Sequence, residues 1–146
     1  MNLDMHIHTT HGSGDSSLKP EQLITEAKKS NLDGFLLSEH SGGWNNYSVT
    51  SVFAKTGLFA IPGLEVNTIM GHILVIGLNS HIDGISNIRT LRKILDQKGG
   101  LMISAHPCRR LFDTPLNNAN LLWPEVSNGE LTPQIASEHP IFSIVD

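Results

Sequence analysis

The side chains best suited to chemistry in this chain are its eight histidines, several of which stand at the ends of apolar runs. The first group lies in Asp4-Met5-His6-Ile7-His8-Thr9-Thr10-His11-Gly12-Ser13-Gly14-Asp15. Successive side chains of an extended strand point to opposite faces. Alternation therefore predicts Asp4, His6 and His8 on one side and Leu3, Met5 and Ile7 on the other. Two imidazoles at this spacing bring their ring nitrogens close enough to share an ion, and neutral imidazole is a ligand for zinc, iron and manganese. The Thr, Gly and Ser residues that follow do not prolong the strand, and they end in the carboxylate of Asp15. This stretch reads as one wall of a metal site.

Further histidines and an acid must be brought to the same place by the elements around them. Leu18-Lys19-Pro20-Glu21 opens a helix, with proline in its first turn, Glu21 against the dipole and Leu23, Ile24 and Ala27 as its buried stripe. Asn31 is its stop. Asp33 to Ser38 is a second, fully buried strand that ends in Glu39-His40. Strand, helix and strand form a βαβ unit, so these strands are parallel and His8 and His40 leave the sheet at one edge. That edge carries the chemistry of parallel α/β folds. A short helix is expected over Val49 to Lys55, and Leu58 to Val66 is a third strand, interrupted or bulged at Pro62-Gly63, that delivers Glu65. Gly71-His72 opens the run Ile73 to Ile76 six residues later, too soon for a helical crossover. The connection is a tight reversal or a strand break, and a reversal sets His72 beside Glu65. Ile85 to Gln97 has helical spacing and stops at Gly99-Gly100; Leu101 to Ala105 is the next strand and ends in His106-Pro107, with Arg109 and Arg110 close behind. Weaker strands are expected at Leu121 to Val126 and Ile141 to Val145, with a helix from Thr132-Pro133 to Ala136.

Composition narrows the function further. At 146 residues the chain is one domain, residues 1–146, short of the roughly 250 residues of a typical complete barrel. A net charge of −4 and ten scattered Lys and Arg residues argue against a duplex nucleic-acid groove. One cysteine excludes an internal disulfide, and no apolar stretch suggests a leader or membrane span, so the cytoplasm is the expected compartment.

Taken in order, Asp4-x-His6-x-His8-Thr9, Ser38-Glu39-His40, Gly63-Leu64-Glu65, Gly71-His72 and Ala105-His106-Pro107 resemble the PHP (polymerase and histidinol phosphatase) family over nearly the whole chain. The resemblance implies an α/β fold, a distorted (β/α)7 TIM-like barrel, with up to three divalent ions (manganese, iron or zinc) at its C-terminal mouth. On that pattern His6, His8 and Glu65 are ligands of one ion. Glu65 bridges to a second, also held by His72 and His106, and Asp15 and His40 hold a third. Ions about 3.5–4 Å apart share a water and lower its pKa, leaving a hydroxide in line with phosphorus. They also neutralise phosphoryl oxygens in the transition state. Arg109, three residues past a ligand, is the candidate phosphate clamp, since guanidinium meets two phosphate oxygens at once. Arg110 is its less suited neighbour.

Two features depart from the family pattern. The spacing from His8 to Asp15 is longer than usual, which makes His11 a rival to Asp15; the carboxylate is preferred because it suits hard ions. The family's late Gly-Ser-Asp-x-His-like motif is not found before Asp146, so the barrel is expected to be incomplete, with two ions each short of one ligand unless water, another subunit, His139 or Asp146 substitutes. The expected function is a metal-dependent phosphoesterase that hydrolyses a phosphate monoester or a small nucleotide phosphodiester. Its partners are a small phosphorylated substrate and, through unpaired strand edges, a further copy of the chain. The alternatives are a non-catalytic metal-binding module and an amidohydrolase-like enzyme, the latter resting on His-x-His alone. Cys108 reads as a small apolar filler, Asp4 as an orienting or structural acceptor, Glu125 as support for the barrel, and His81 and His139 as exposed loop residues. Trp44 and Tyr47 either flank the substrate mouth or pack on the surface.

Overall fold

A computed structural model describes residues 1–69 and 71–105. Its elements in chain order are β1 (Leu3–Ile7), α1 (Pro20–Lys29), β2 (Gly34–Glu39), α2 (Asn46–Phe53), β3 (Phe59–Thr68), β4 (Gly71–Ile76), α3 (Ile88–Lys98) and β5 (Leu101–Ser104). The five strands form one sheet in the order β1-β2-β3-β4-β5. β1 and β3 both pair parallel to β2, and β4 pairs antiparallel with β3 and with β5. Only β4 runs backwards. The C-terminal ends of β1, β2, β3 and β5 therefore share an edge with the N-terminal end of β4, where His72 lies.

The local chemistry explains these elements. Pro20 begins α1 with Glu21 in the first turn and Lys28 and Lys29 in the last, and Asn31 follows in a left-handed conformation with φ 54°. Asn87 caps α3 by accepting from the amides of Arg89 and Thr90, so that helix starts at Ile88 rather than Ile85; Ile85 is buried in the turn before it. Gly99 ends it with φ 68°, as the Gly99-Gly100 pair predicts. α2 starts at Asn46, earlier than expected, because Asn45 caps it through the Ser48 amide.

Two expectations about strands are corrected. β3 runs uninterrupted through Pro62, which pairs in register with Leu37. The proline is tolerated because β4 pairing begins only at Gly63, leaving that side of β3 unpaired at Pro62. Strict alternation fails in β1: Asp4 pairs with Phe35 and Ile7 with Leu37, so Met5 and His6 together oppose Leu36. Asp4 Oδ1 accepts the His6 amide at 3.0 Å within this shift, which makes Asp4 the structural acceptor the sequence suggests. Met5 joins the cluster of Leu36, Leu74 and Ile103, whereas Ile7 packs with Phe35 and Leu37 on the opposite face.

Apolar side chains split cleanly between the two faces. α1 and α2 bury Leu23, Ala27, Val49 and Phe53 against Phe35 and Leu37, and α3 buries Leu91 and Leu95 against Leu64, Val66, Ile73, Val75 and Met102. The other face is concave. Leu3, Met5 and His6 of β1 and Leu74 of β4 with Ala105 line one cavity of about 400 Å³, so the two sides of the sheet curl towards each other. Among the described residues this is a mixed α/β domain with a curled five-stranded sheet; the closed seven-stranded barrel is not among them.

Candidate metal centre

Glu65 lies in the middle of the rim and is 3% exposed. It leaves β3 between Leu64 and Val66, which face the helices, and so points to the concave side. The register sets Glu65 opposite Leu74 and Asn67 opposite His72, which makes His72 the diagonal neighbour of Glu65 on the same face. The tight reversal is thus realised, and His72 Nδ1 lies 2.7 Å from Glu65 Oε1.

The other carboxylate oxygen faces three more rings. Glu65 Oε2 is 3.3 Å from His6 Nε2, 3.0 Å from His8 Nε2 and 3.5 Å from His40 Nδ1. His6 Nε2 and His8 Nε2 are themselves 3.0 Å apart, and the rings of His8 and His40 stack with centroids 4.5 Å apart. Four imidazoles from three strand ends, those of β1, β2 and β4, converge on one carboxylate. Ligand atoms of His6, His8 and Glu65 all lie within 4.8 Å of one another, close enough to hold one metal ion. Two ring nitrogens and a carboxylate oxygen are a donor set that suits zinc, iron or manganese.

Electrostatics prepare this carboxylate to stay charged. Burial pushes Glu65 up, but hydrogen bonds from His6, His8 and His72 outweigh it and hold the group far below the ordinary carboxylate range. The same contact with Glu65 raises His8 above the ordinary imidazole value against the opposing effect of its own burial. A cation in this position would replace the protons on the rings as the partner of Glu65.

Asp15 stands at the outer margin, 64% exposed in its side chain, with Oδ2 3.2 Å from His40 Nε2. Its rival His11 is turned elsewhere: His11 Nε2 is 3.2 Å from the Gly43 carbonyl and its ring packs on Trp44. His81, an exposed loop residue as expected, places Nε2 2.7 Å from the His40 carbonyl. Candidates His106 and Arg109, with Cys108, Arg110, Glu125, His139 and Asp146, lie outside the described residues, as do the strands and helix expected after residue 105.

Sequence reasoning missed the support behind the histidines. Glu39 is 0% exposed. It accepts from the Thr9 amide at 2.9 Å, the Thr9 hydroxyl, the Ser13 hydroxyl at 2.6 Å and Trp44 Nε1 at 2.9 Å. Trp44, placed at the mouth or surface by sequence alone, is a core residue at 2% exposure, whereas Tyr47 is exposed. One signal was present: a carboxylate ending a buried and mostly apolar strand must find buried donors. Thr9 and Ser13 reach it across 30 and 26 positions of chain, and only Trp44 is near in sequence.

Fold and side chains together define a mixed α/β domain whose sheet edge gathers an imidazole–carboxylate cluster competent to bind a divalent cation. No family model matches the chain, and no curated protein matches it. Among solved structures, a proposed metal-dependent phosphoesterase from Bifidobacterium adolescentis aligns with 66% of this chain at 22% identity and a TM-score of 0.47. The aligned part spans 37% of that protein's length. So distant a likeness carries no weight for the chemistry, which is read from the side chains themselves.

Proposed function

We propose that this chain is a metal-dependent phosphoesterase domain of the PHP kind its motifs resemble, acting on a phosphate monoester or a small nucleotide phosphodiester. The observation that carries the reading is the convergence of His6, His8, His40 and His72 on the buried Glu65. A structural carboxylate needs no such ring of imidazoles. The two oxygens of Glu65 also face different partners, Oε2 towards His6, His8 and His40 and Oε1 towards His72, which is how a carboxylate shared by two ions is presented.

In this reading His6, His8 and Glu65 hold one ion, Glu65 with His72 and His106 a second, and His40 with Asp15 a third; His106 and Arg109 enter on the sequence pattern alone. Bound divalent ions supply an acidified water and positive charge against phosphoryl oxygens. Hydrogen bonds from His6, His8 and His72 keep Glu65 charged against its burial and orient it, and Arg109 clamps the phosphate. The chain is one domain of a (β/α)7-type barrel that associates with further copies through a strand edge.

Hydrolysis of p-nitrophenyl phosphate and its diester, with manganese or zinc supplied, tests the proposal. Turnover that disappears on chelation, returns with metal and is lost in Glu65→Ala supports it. Tight metal binding with no turnover of either ester would assign a non-catalytic metal-binding module instead.

A further inference from the structure

The hydroxyl of Ser13 has three partners, which saturate it. Its Oγ lies 2.6 Å from Glu39 Oε2, 3.1 Å from His8 Nδ1 and 3.1 Å from the His40 amide nitrogen. A hydroxyl offers one proton and two lone pairs. The His40 N–H can only donate, so it takes one lone pair. A carboxylate can only accept, and both oxygens of Glu39 are already faced by N–H donors from Thr9 and Trp44. The Ser13 proton therefore goes to Glu39, and the remaining lone pair of Ser13 must receive a proton from His8. Nδ1 of His8 is thereby held protonated, so the nitrogen left for an ion is Nε2, which without metal shares a proton with Glu65 Oε2 and stands 3.0 Å from that oxygen and from His6 Nε2.

We propose that Glu39 is a positioning residue for His8: acting through the Ser13 hydroxyl, it fixes the His8 proton on Nδ1 and leaves Nε2 to meet a metal ion. This rests on the reading of His6, His8 and Glu65 as a metal site. Glu39 touches neither the ion position nor substrate. Its separation from that position by Ser13 distinguishes this arrangement from a carboxylate bonded directly to a ligand histidine, though the physical effect is the same. The buried amide of Glu39→Gln would reverse the sense of the relay. A Gln NH2 facing Ser13 would donate to it, turn the hydroxyl to donate its hydrogen bond to His8 Nδ1, and favour the imidazole proton on Nε2, where it blocks the ion.

Two measurements on the full chain test this. The first is nitrogen-15 NMR of the imidazoles in zinc-loaded wild type; His8 is expected to carry its proton on Nδ1 and to coordinate through Nε2. The second is titration with zinc alone, in which Glu39→Gln and Ser13→Ala are each expected to bind about 10–100-fold more weakly than wild type. A wild-type His8 that carries its proton on Nε2 would overturn the proposal. So would either variant, folded by circular dichroism, that binds zinc as wild type does, even if its melting temperature falls, since a purely structural Glu39 would behave that way. Should neither variant fold, the wild-type tautomer still decides. A wild type that takes up no zinc would overturn the metal site itself, whereas unchanged variants of a zinc-binding wild type overturn only the role of Glu39.

Discussion

Two corners of the same rim are each built from a carboxylate and imidazoles, and they differ in almost everything else. At the inner corner Glu65 is nearly inaccessible and is met by His6, His8, His40 and His72. At the outer corner Asp15 is open to water and reaches His40 alone among the described residues. The contact lengths are similar, 3.0 Å for His8 to Glu65 and 3.2 Å for His40 to Asp15. The difference lies in the surroundings, because an exposed ion pair is screened and mobile whereas a buried one cannot lose a partner cheaply. Binding and stability are expected to concentrate at the inner corner.

The comparison can be broken most forcefully at Glu65. Glu65→Ala should weaken zinc binding on the order of a thousandfold, equivalent to about 4 kcal/mol, when followed by calorimetry. A loss of only a few-fold would make the two corners equivalent.

Acid is the next strongest probe. His8 must give up a proton to bind a cation, and its affinity for protons is raised by Glu65. Metal affinity should fall about tenfold per pH unit for each displaced proton, beginning above the ordinary imidazole range. In the metal-free protein the depressed Glu65 contributes stability that is present above the unfolded carboxylate value and is lost only as pH falls through its low folded value. The raised His8 contributes stability that is full below the unfolded imidazole value and is lost as pH rises through its folded value. Melting temperature should therefore peak between these limits; a maximum on the alkaline side of the His8 transition would contradict the pairing.

Gly12 sharpens the contrast through packing. A Cβ there would lie 2.0 Å from the Gly42 carbonyl oxygen and 2.7 Å from Glu39 Cβ, so Gly12→Ala must displace the loop behind Glu39. A cost of about 1–3 kcal/mol in denaturant unfolding is expected, together with weaker zinc binding. Asp15→Asn should have the smallest effect, with an unchanged melting temperature and an unchanged first zinc equivalent, and any loss confined to a weaker later one. An equal loss at both equivalents would remove the distinction between the corners.

Much of this arrangement was legible in the chain. His6, His8, His40, Glu65 and His72 stood out because each ends or opens an apolar run, and the short Glu65–His72 spacing allowed a hairpin but no crossover. The parallel pairing of β1 and β2 followed from the helix between them. What the sequence hid depends on packing. The one-residue shift in β1 turns Met5 and His6 to the same face, and no alternation rule reveals where a strand inserts an extra residue. Pro62 looked like a break because its tolerance depends on which neighbour pairs at that position. Ser13 is distant in sequence from Glu39 and Trp44, and the three make sense together only once the loops after β1 and β2 are seen to meet.

The central claim is tested most directly by zinc K-edge X-ray absorption on the loaded chain. The structure predicts a shell of nitrogen and oxygen at about 2.0–2.2 Å, with scattering from at least the two imidazoles His6 and His8, that is lost in Glu65→Ala. Zinc without imidazole scattering, or the same shell in Glu65→Ala, would contradict it.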